Sequence, residues 1–417
     1  SFGSSNNHWR TRNMKKILAL VLCAMLMLAS VSALAESGEK VHLEFFNIKP
    51  EVVDILDTLI AKFEEENPDI DVEQTQVPDA TTVLQTRAAT NKLPEILTYY
   101  ATDPRYQEMA KNGMLLDLTD KDIFSTIDSG MLQDTLYEGK SYILPISMNA
   151  AGVFYNVKIF EENNIEIPTT YEELIAVCEK LKAAGITPFV MHNMDWQAST
   201  VWSMAALNCV DDYETVNSAI YNGEATVTDY PGFEESAKEF LELNSYAQED
   251  TMGTNYDQAL DAFANGEAAM IIQGIWIVPS VKALNPDLQF SSFPLPAKTG
   301  NHMRIGYQND LGLCISSTCA NPEAALKFLQ FMAREDNAQY YADMDGSASY
   351  ITGVVSAVEE TKPILSCFDS ADNIGLWPDQ MWVTGTVDYV TSACQQLLID
   401  EDVPAFLDTL QSLFVAQ

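Results

Sequence analysis

An α/β fold divided into two lobes is predicted for this chain by three observations. Strand-like and helix-like patterns alternate from Val41 onward. The segment Tyr142 to Tyr155 is apolar and β-prone, broken only around Ser147 to Gly152, as an extended crossover between two bodies would be. The residues beyond an N-terminal export leader number about 380, more than one compact core accommodates.

That leader is read at residues 14–35. Lys15 and Lys16 precede an apolar run from Ile17 to Ala29, and small residues follow, ending in Ala33-Leu34-Ala35. The run falls short of the ~20 residues that span a bilayer, so removal of the leader and a secreted chain, at the cell surface or in a periplasm, are expected. Residues 1–13, with Trp9, Arg10 and Arg12, fit no export region and are read as extraneous. Cys23 raises lipid anchoring as an alternative. Leu22 stands where the lipoprotein peptidase wants a small residue, and Ala24 to Ala35 is apolar where a polar tether is expected, so both argue against it.

The chain carries 60 acidic against 23 basic residues, a net charge of −37. A surface this acidic repels nucleic acid and anionic lipid headgroups, so neither is an expected partner, and its simplest role is solubility. Six cysteines follow the leader: Cys178, Cys209, Cys314, Cys319, Cys367 and Cys394. None forms a Cys-x-x-Cys or zinc-ligand spacing, and free buried thiols and disulfide bridges both stay open.

Val41 to Phe46 reads as a strand. Val52, Leu56, Leu59 and Phe63 then recur at helical spacing until Asn67-Pro68, and Ile70 to Gln76 reads as a second strand. Strand, helix and strand in succession predict a parallel pair. A helix over Thr81 to Asn91 leads to a short strand at Leu93 to Leu97, whose C-terminal end delivers Tyr99, Tyr100 and Asp103 to the place where ligands sit in open α/β sheets. Past the crossover, Pro168 to Lys182 is an amphipathic helix stopped by Gly185, and helical patterns cover Phe233 to Leu243 and Tyr256 to Asn265. Ala268 to Ile272 is strand-like and runs into Gln273-Gly274-Ile275-Trp276. Phe290 to Pro296 suits a second crossover, Met303 to Ser316 a further strand, Asn321-Pro322 a helix start, and Val403 to Phe414 a last helix.

Several stretches, in order, resemble the family 1 extracellular solute-binding proteins of ABC importers, the group that includes maltose-binding proteins. They include Phe63-Glu64-Glu65-Glu66-Asn67-Pro68-Asp69-Ile70, Leu93-Pro94-Glu95-Ile96, Gly113-Met114-Leu115-Leu116-Asp117-Leu118, Phe154-Tyr155-Asn156, Ala269 to Trp276, Phe293-Pro294-Leu295-Pro296 and Asn321-Pro322-Glu323-Ala324-Ala325. The resemblance runs from about Lys40 to the C-terminus. It implies a type II periplasmic-binding-protein-like fold with a ligand cleft between discontinuous lobes, 40–147 plus 296–333 and 148–295 plus 334–417. Crossovers are implied near Ile146 to Asn149 and Phe293 to Ala297, with a return near Ala333. It also implies a monomer that takes a carbohydrate to an ABC permease by hinge closure, without a cofactor or metal. Glu95, where the family commonly has Asp, and the Tyr99-Tyr100 tip, where a tryptophan is common, leave the particular ligand open.

A sugar offers apolar C–H faces and a rim of hydroxyls, so its receptor needs aromatic plates beside paired donors and acceptors. By resemblance, Trp276 and Trp196 are the leading plates, followed by Tyr100, then Trp382 and Trp377. Trp202 lies in an apolar helical run and reads as core. Asn47, Asp103, Asn149 and Asp310 are the leading polar candidates, with Lys49, Arg105 and Asn193 behind them. Helix caps and turns are the competing use for each Asn and Asp. Two other readings remain: a ferric-iron receptor built on Tyr99-Tyr100 and Tyr340-Tyr341, and a glycoside hydrolase built on a carboxylate pair such as Asp103 and Asp310. No nucleophile elbow, phosphate loop or His-Glu-x-x-His motif supports an enzyme.

Overall fold

The computed structural model describes residues 40–127, 131–298, 303–382 and 385–415. The leader, Cys23 and residues 1–13 lie outside the described residues. The first lobe opens with β1 (Val41–Phe46), α1 (Val53–Glu66) and β2 (Ile70–Thr75). α1 buries Leu56, Leu59, Ile60 and Phe63 on one stripe, and Asn67 caps it where Pro68 forbids another turn. This brings β2 back parallel to β1, Val41 opposite Ile70 and Phe46 opposite Thr75. α2 (Ala80–Ala89) leads to β3 (Ile96–Tyr99), parallel to β1, and α3 (Pro104–Lys111) follows. β3 starts at Ile96 rather than Leu93; Pro94 has no N–H to give a ladder.

β4 (Leu144–Pro145) ends the first passage through this lobe, and β5 (Ser147–Asn156) begins the second lobe. There follow α4 (Val157–Glu162), α5 (Tyr171–Ala183), β6 (Thr187–Val190), α6 (Gln197–Cys209), α7 (Tyr213–Tyr221), α8 (Pro231–Asn244) and α9 (Tyr256–Ala264). Thr170 and Glu173 form a capping box that starts α5. β7 (Ala268–Gly274), α10 (Ile277–Leu284), β8 (Phe290–Phe293) and β9 (Ile305–Asn309) come next, then β10 (Gly312–Ile315), α11 (Pro322–Met332) and α12 (Glu335–Asp345). The chain ends with β11 (Ala348–Ser349), α13 (Lys362–Leu365), β12 (Ile374–Leu376), α14 (Thr386–Asp400) and α15 (Val403–Phe414).

The first sheet has the order β2-β1-β3-β10-β4, with β10 antiparallel to both neighbours. Its alternation sends Leu43 and Phe45 to one core and Phe46 to another, so helices cover both faces. On one side α11 sets Phe328 edge-on to Phe45 and Phe63. The second sheet, β12-β9-β5-β7-β6, is organised around the long apolar β5, which also pairs with β8 and β11. Val153 and Phe154 go to opposite faces of it. Trp202 is fully buried under α8, its indole N–H donating to Ser236 Oγ at 3.2 Å, a core residue as its sequence context predicts.

Two expectations about the crossings are corrected. Met303 to Ser316 is not one strand: β9 lies in the second sheet and β10 in the first, so the chain changes lobes at Asp310-Leu311, not at Phe293 to Ala297. The reason is a local hydrogen-bond set. The amides of Ile146 and Ser147 both donate to the Leu311 carbonyl at 2.7 and 3.2 Å, and the Asp310 amide donates to the Ser147 carbonyl at 2.8 Å, which ties the two crossing segments side by side. The final return also comes later than Ala333. α12 packs Ala338, Tyr341 and Ala342 into the first lobe's core, and the chain reaches β5 only at Ala348.

Cys178, Cys314, Cys319 and Cys394 are free thiols. Cys178, Cys314 and Cys394 are fully buried, and burial pushes all three thiols up, that of Cys178 to about 12.

Candidate functional site

Between the lobes lies a cavity of about 970 Å³ whose floor is made by the crossing segments. Just after β1, Asn47 folds onto its own chain. Its Oδ1 accepts from the Lys49 amide at 2.9 Å, and its Nδ2 donates to the Lys49 carbonyl at 2.7 Å and to Gln74 at 3.0 Å. This fixes Lys49, 5% exposed, with its ammonium 2.5 Å from Asp310 and 4.0 Å from Asp345. Burial works against the charge, but Asp310 and then Asp345 outweigh it and hold the Lys49 pKa well above the usual lysine value. Ser147 Oγ completes the group, donating to Asp310 at 3.0 Å and accepting from the Leu311 amide at 3.0 Å. Asn149, one turn of the pleat further on, lines the cavity with its Oδ1 buried and unpartnered.

The first-lobe wall is the C-terminal end of β3. Tyr99 and Tyr100 face the cavity, and Asp103 caps α3 by accepting from the Arg105 amide at 2.8 Å. The Arg105 guanidinium folds back on the same carboxylate, with Nε 2.9 and 3.1 Å from its two oxygens and Nη2 bonded to Oδ2. That pairing holds the Arg105 charge more firmly than usual.

The second-lobe wall is aromatic. Trp276 follows β7 with its ring laid back over Gly274, where a Cβ would fall inside the indole, so the position accepts only glycine without moving the ring. Trp196 and Trp377 flank it with ring centroids at 6.0 and 6.1 Å, making a continuous arc of three indoles. Trp377 donates to Ser203 Oγ at 2.8 Å. Trp382 reaches the cavity from inside the core, stacked on Phe414 and donating to the Tyr213 hydroxyl at 3.0 Å. Behind Trp196 sits His192, wholly buried and edge-on to that indole at 5.0 Å. Gln273 Nε2 lies 2.5 Å from its Nε2 and Asp195 Oδ1 2.5 Å from its Nδ1, which assigns the proton to Nδ1.

Two polar side chains between Trp377 and Trp382 complete the rim. Gln380 accepts from the Thr102 hydroxyl at 2.5 Å, a bond from lobe to lobe, and donates to Gln308 at 3.1 Å and Asp379 at 2.7 Å. Burial, and behind it the Asp103 carboxylate, push the Asp379 carboxyl up to about 6.

Ten of the twelve residues singled out in the sequence line this cavity: Trp276, Trp196, Tyr100, Asp103, Asn149, Asp310, Trp382, Trp377, Arg105 and Lys49. Asn47 and Asn193 are not among its lining residues. Asn47 is consumed by its own loop, and Asn193 donates to Asn244 at 2.6 Å while its carbonyl accepts from Gln395 at 2.8 Å. The sequence reading missed Asp379, Gln380, Gln308 and Glu51. Asp379 and Gln380 stood between two flagged tryptophans, a signal that could have found them. Tyr340 and Tyr341 pack against the first lobe's core, away from the cavity lining. Among the described residues no group of three or more His, Cys, Asp or Glu is placed to hold a metal.

Two α/β lobes, crossed by three chain segments and enclosing a cleft with one aromatic and one polar wall, define a solute receptor of the binding-protein class. Residues 49–339 match the family of bacterial extracellular solute-binding proteins, and the chain belongs to that family. It is 28% identical over 409 residues to a multiple sugar-binding protein of Streptococcus mutans, spanning 95% of this chain and 96% of the relative. Among solved structures it is similar to RafE in complex with raffinose, with a TM-score of 0.81 at 27% identity over 90% of this chain and 99% of the other. The apo form of RafE, from Streptococcus pneumoniae, aligns with a TM-score of 0.78. A sugar transporter of Bacillus licheniformis in complex with stachyose shares the fold at 20% identity, with a TM-score of 0.70 over 89% of this chain and 98% of that one.

Proposed function

We propose that this protein captures a saccharide, an oligosaccharide by the length of its aromatic arc, and hands it to a membrane permease of an ABC importer from outside the cytoplasm. The arc Trp196-Trp276-Trp377 carries the reading. Trp196 and Trp276, with centroids 6.0 Å apart, offer stacking faces to pyranose rings, and the buried Trp377 backs Trp276 at 6.1 Å. Opposite them stand the hydroxyl-binding groups, Asp103 with Arg105 and Lys49 with Asp310. The first lobe takes β1 to β4, β10, α11 and α12 and the second lobe the remaining strands and the helices around them, and the molecule acts as a monomer with a removed leader and without a lipid on Cys23. It is a binder and not an enzyme: Asp103 and Asp310, the carboxylates a hydrolase reading would use, are each engaged by a cation.

Calorimetric titration of residues 36–417 with raffinose, stachyose, maltose, xylo-oligosaccharides and chito-oligosaccharides tests the reading, with product analysis and an Fe³⁺ titration alongside. Saturable binding of one neutral sugar, without turnover, is the expected result. Absence of binding across the panel, or hydrolysis of a sugar, would overturn it.

A further inference from the structure

We infer that the cleft selects by charge: it accepts saccharides rich in hydroxyl donors and rejects those that carry a carboxylate, sulfate or phosphate, with Asp379 as the residue that enforces the choice. The inference rests on the saccharide reading above and narrows it. The cavity's lining includes six carboxylates, Glu51, Asp103, Glu108, Asp310, Asp379 and Asp388, against two cations, Lys49 and Arg105. Each cation is already paired with a carboxylate. Lys49 is buried against Asp310 at 2.5 Å with Asp345 behind it, and Arg105 spends its Nε and Nη2 on Asp103. An anionic sugar would therefore enter a cleft of net negative sign in which each cation already faces a carboxylate.

The neutral groups of the lining point the same way. Asn149, 3% exposed, presents an unpartnered Oδ1, an acceptor that a hydroxyl or amine on the ligand would satisfy and a carboxylate would not. Asp379 sits on the second lobe among the tryptophans, has no ion-pair partner among the described residues, and is held by Gln380, whose Nε2 donates to it at 2.7 Å and whose backbone amide also bonds to its carboxylate. Its neighbours across the cleft include Asp103, whose charge already raises the Asp379 carboxyl, and a second anion brought beside it would meet the same repulsion.

The test pairs raffinose with its C6-carboxylate derivative, in which the terminal galactose is oxidised to the uronic acid; should raffinose not bind, the neutral panel sugar that does is oxidised in its place. At pH 7.5 and moderate salt the carboxylate form is expected to bind at least about tenfold more weakly. Asp379→Asn is expected to shrink that ratio several-fold, whatever it does to the neutral sugar. Equal or tighter binding of the carboxylate form overturns the charge selection and leaves the saccharide reading standing. A ratio that Asp379→Asn leaves unchanged removes Asp379 as its source, and failure of every sugar, neutral and acidic, overturns the saccharide reading itself.

Discussion

The two walls of the cleft are built on opposite principles. The first-lobe wall is charged, and each of its cations is locked to a carboxylate from its own lobe or from the crossing segments. The second-lobe wall is a row of indoles held by packing, by Gly274 beneath Trp276, and by single N–H bonds at Trp377 and Trp382. The difference teaches where binding energy and rigidity come from. Stacking supplies affinity and tolerates many sugars, whereas buried ion pairs contribute little net stability but fix geometry and become costly when one member is lost.

The sharpest way to break the contrast is Lys49→Met. It strands Asp310 beside Asp345 in a buried site, and a loss of about 3–5 kcal/mol is expected in urea unfolding; a loss under about 1 kcal/mol would show that the crossings do not depend on the pair. Trp276→Ala attacks the other wall. Sugar affinity should fall by about 2 kcal/mol, near thirtyfold in Kd by calorimetry, as for a central aromatic anchor. Gly274→Ala keeps the indole but displaces it, and about tenfold weaker binding is expected with the far-ultraviolet circular dichroism unchanged.

The smallest effect is on closure without ligand. The Asp379 carboxyl lies at about 6 with Asp103 opposite and Arg105 and Asp388 on the same cavity, whereas an opened cleft would return it to water and to the ordinary carboxylate range. A group whose pKa is higher in the closed form favours that form at low pH and loses the preference as pH rises through about 6. The ligand-free protein should be more compact at pH 5 than at 7.5 by small-angle scattering, with a few-fold change in the closed fraction, and Asp379→Asn should flatten the dependence.

The first lobe was legible because its apolar residues keep strict periods: Leu56, Leu59 and Phe63 could serve only a helix that packs on one side. Met303 to Ser316 misled because a run of extended residues does not announce that it leaves one sheet for another; only the pairing of Leu311 with Ile146 and Ser147 decides that, and those partners are more than 160 residues away. At the site, Trp276 and Trp196 could be read from a glycine-preceded strand end and a polar setting. Asn47 could not be told from a ligand contact, since an asparagine at a strand end serves equally well to clamp its own loop. Asp379 follows a proline and reads as the start of a turn, and nothing local reveals that Asp103 faces it.

The buried thiols of Cys178, Cys314 and Cys394 set the conditions under which the chain can reach this structure. Once folded, these three are indifferent to redox potential, being both inaccessible and kept protonated. While unfolded, the chain exposes these three, and a disulfide formed through any of them at that stage would have to be undone before its core could close. An oxidant present during folding would therefore slow the chain, whereas the same oxidant added to the folded protein would leave these three thiols untouched.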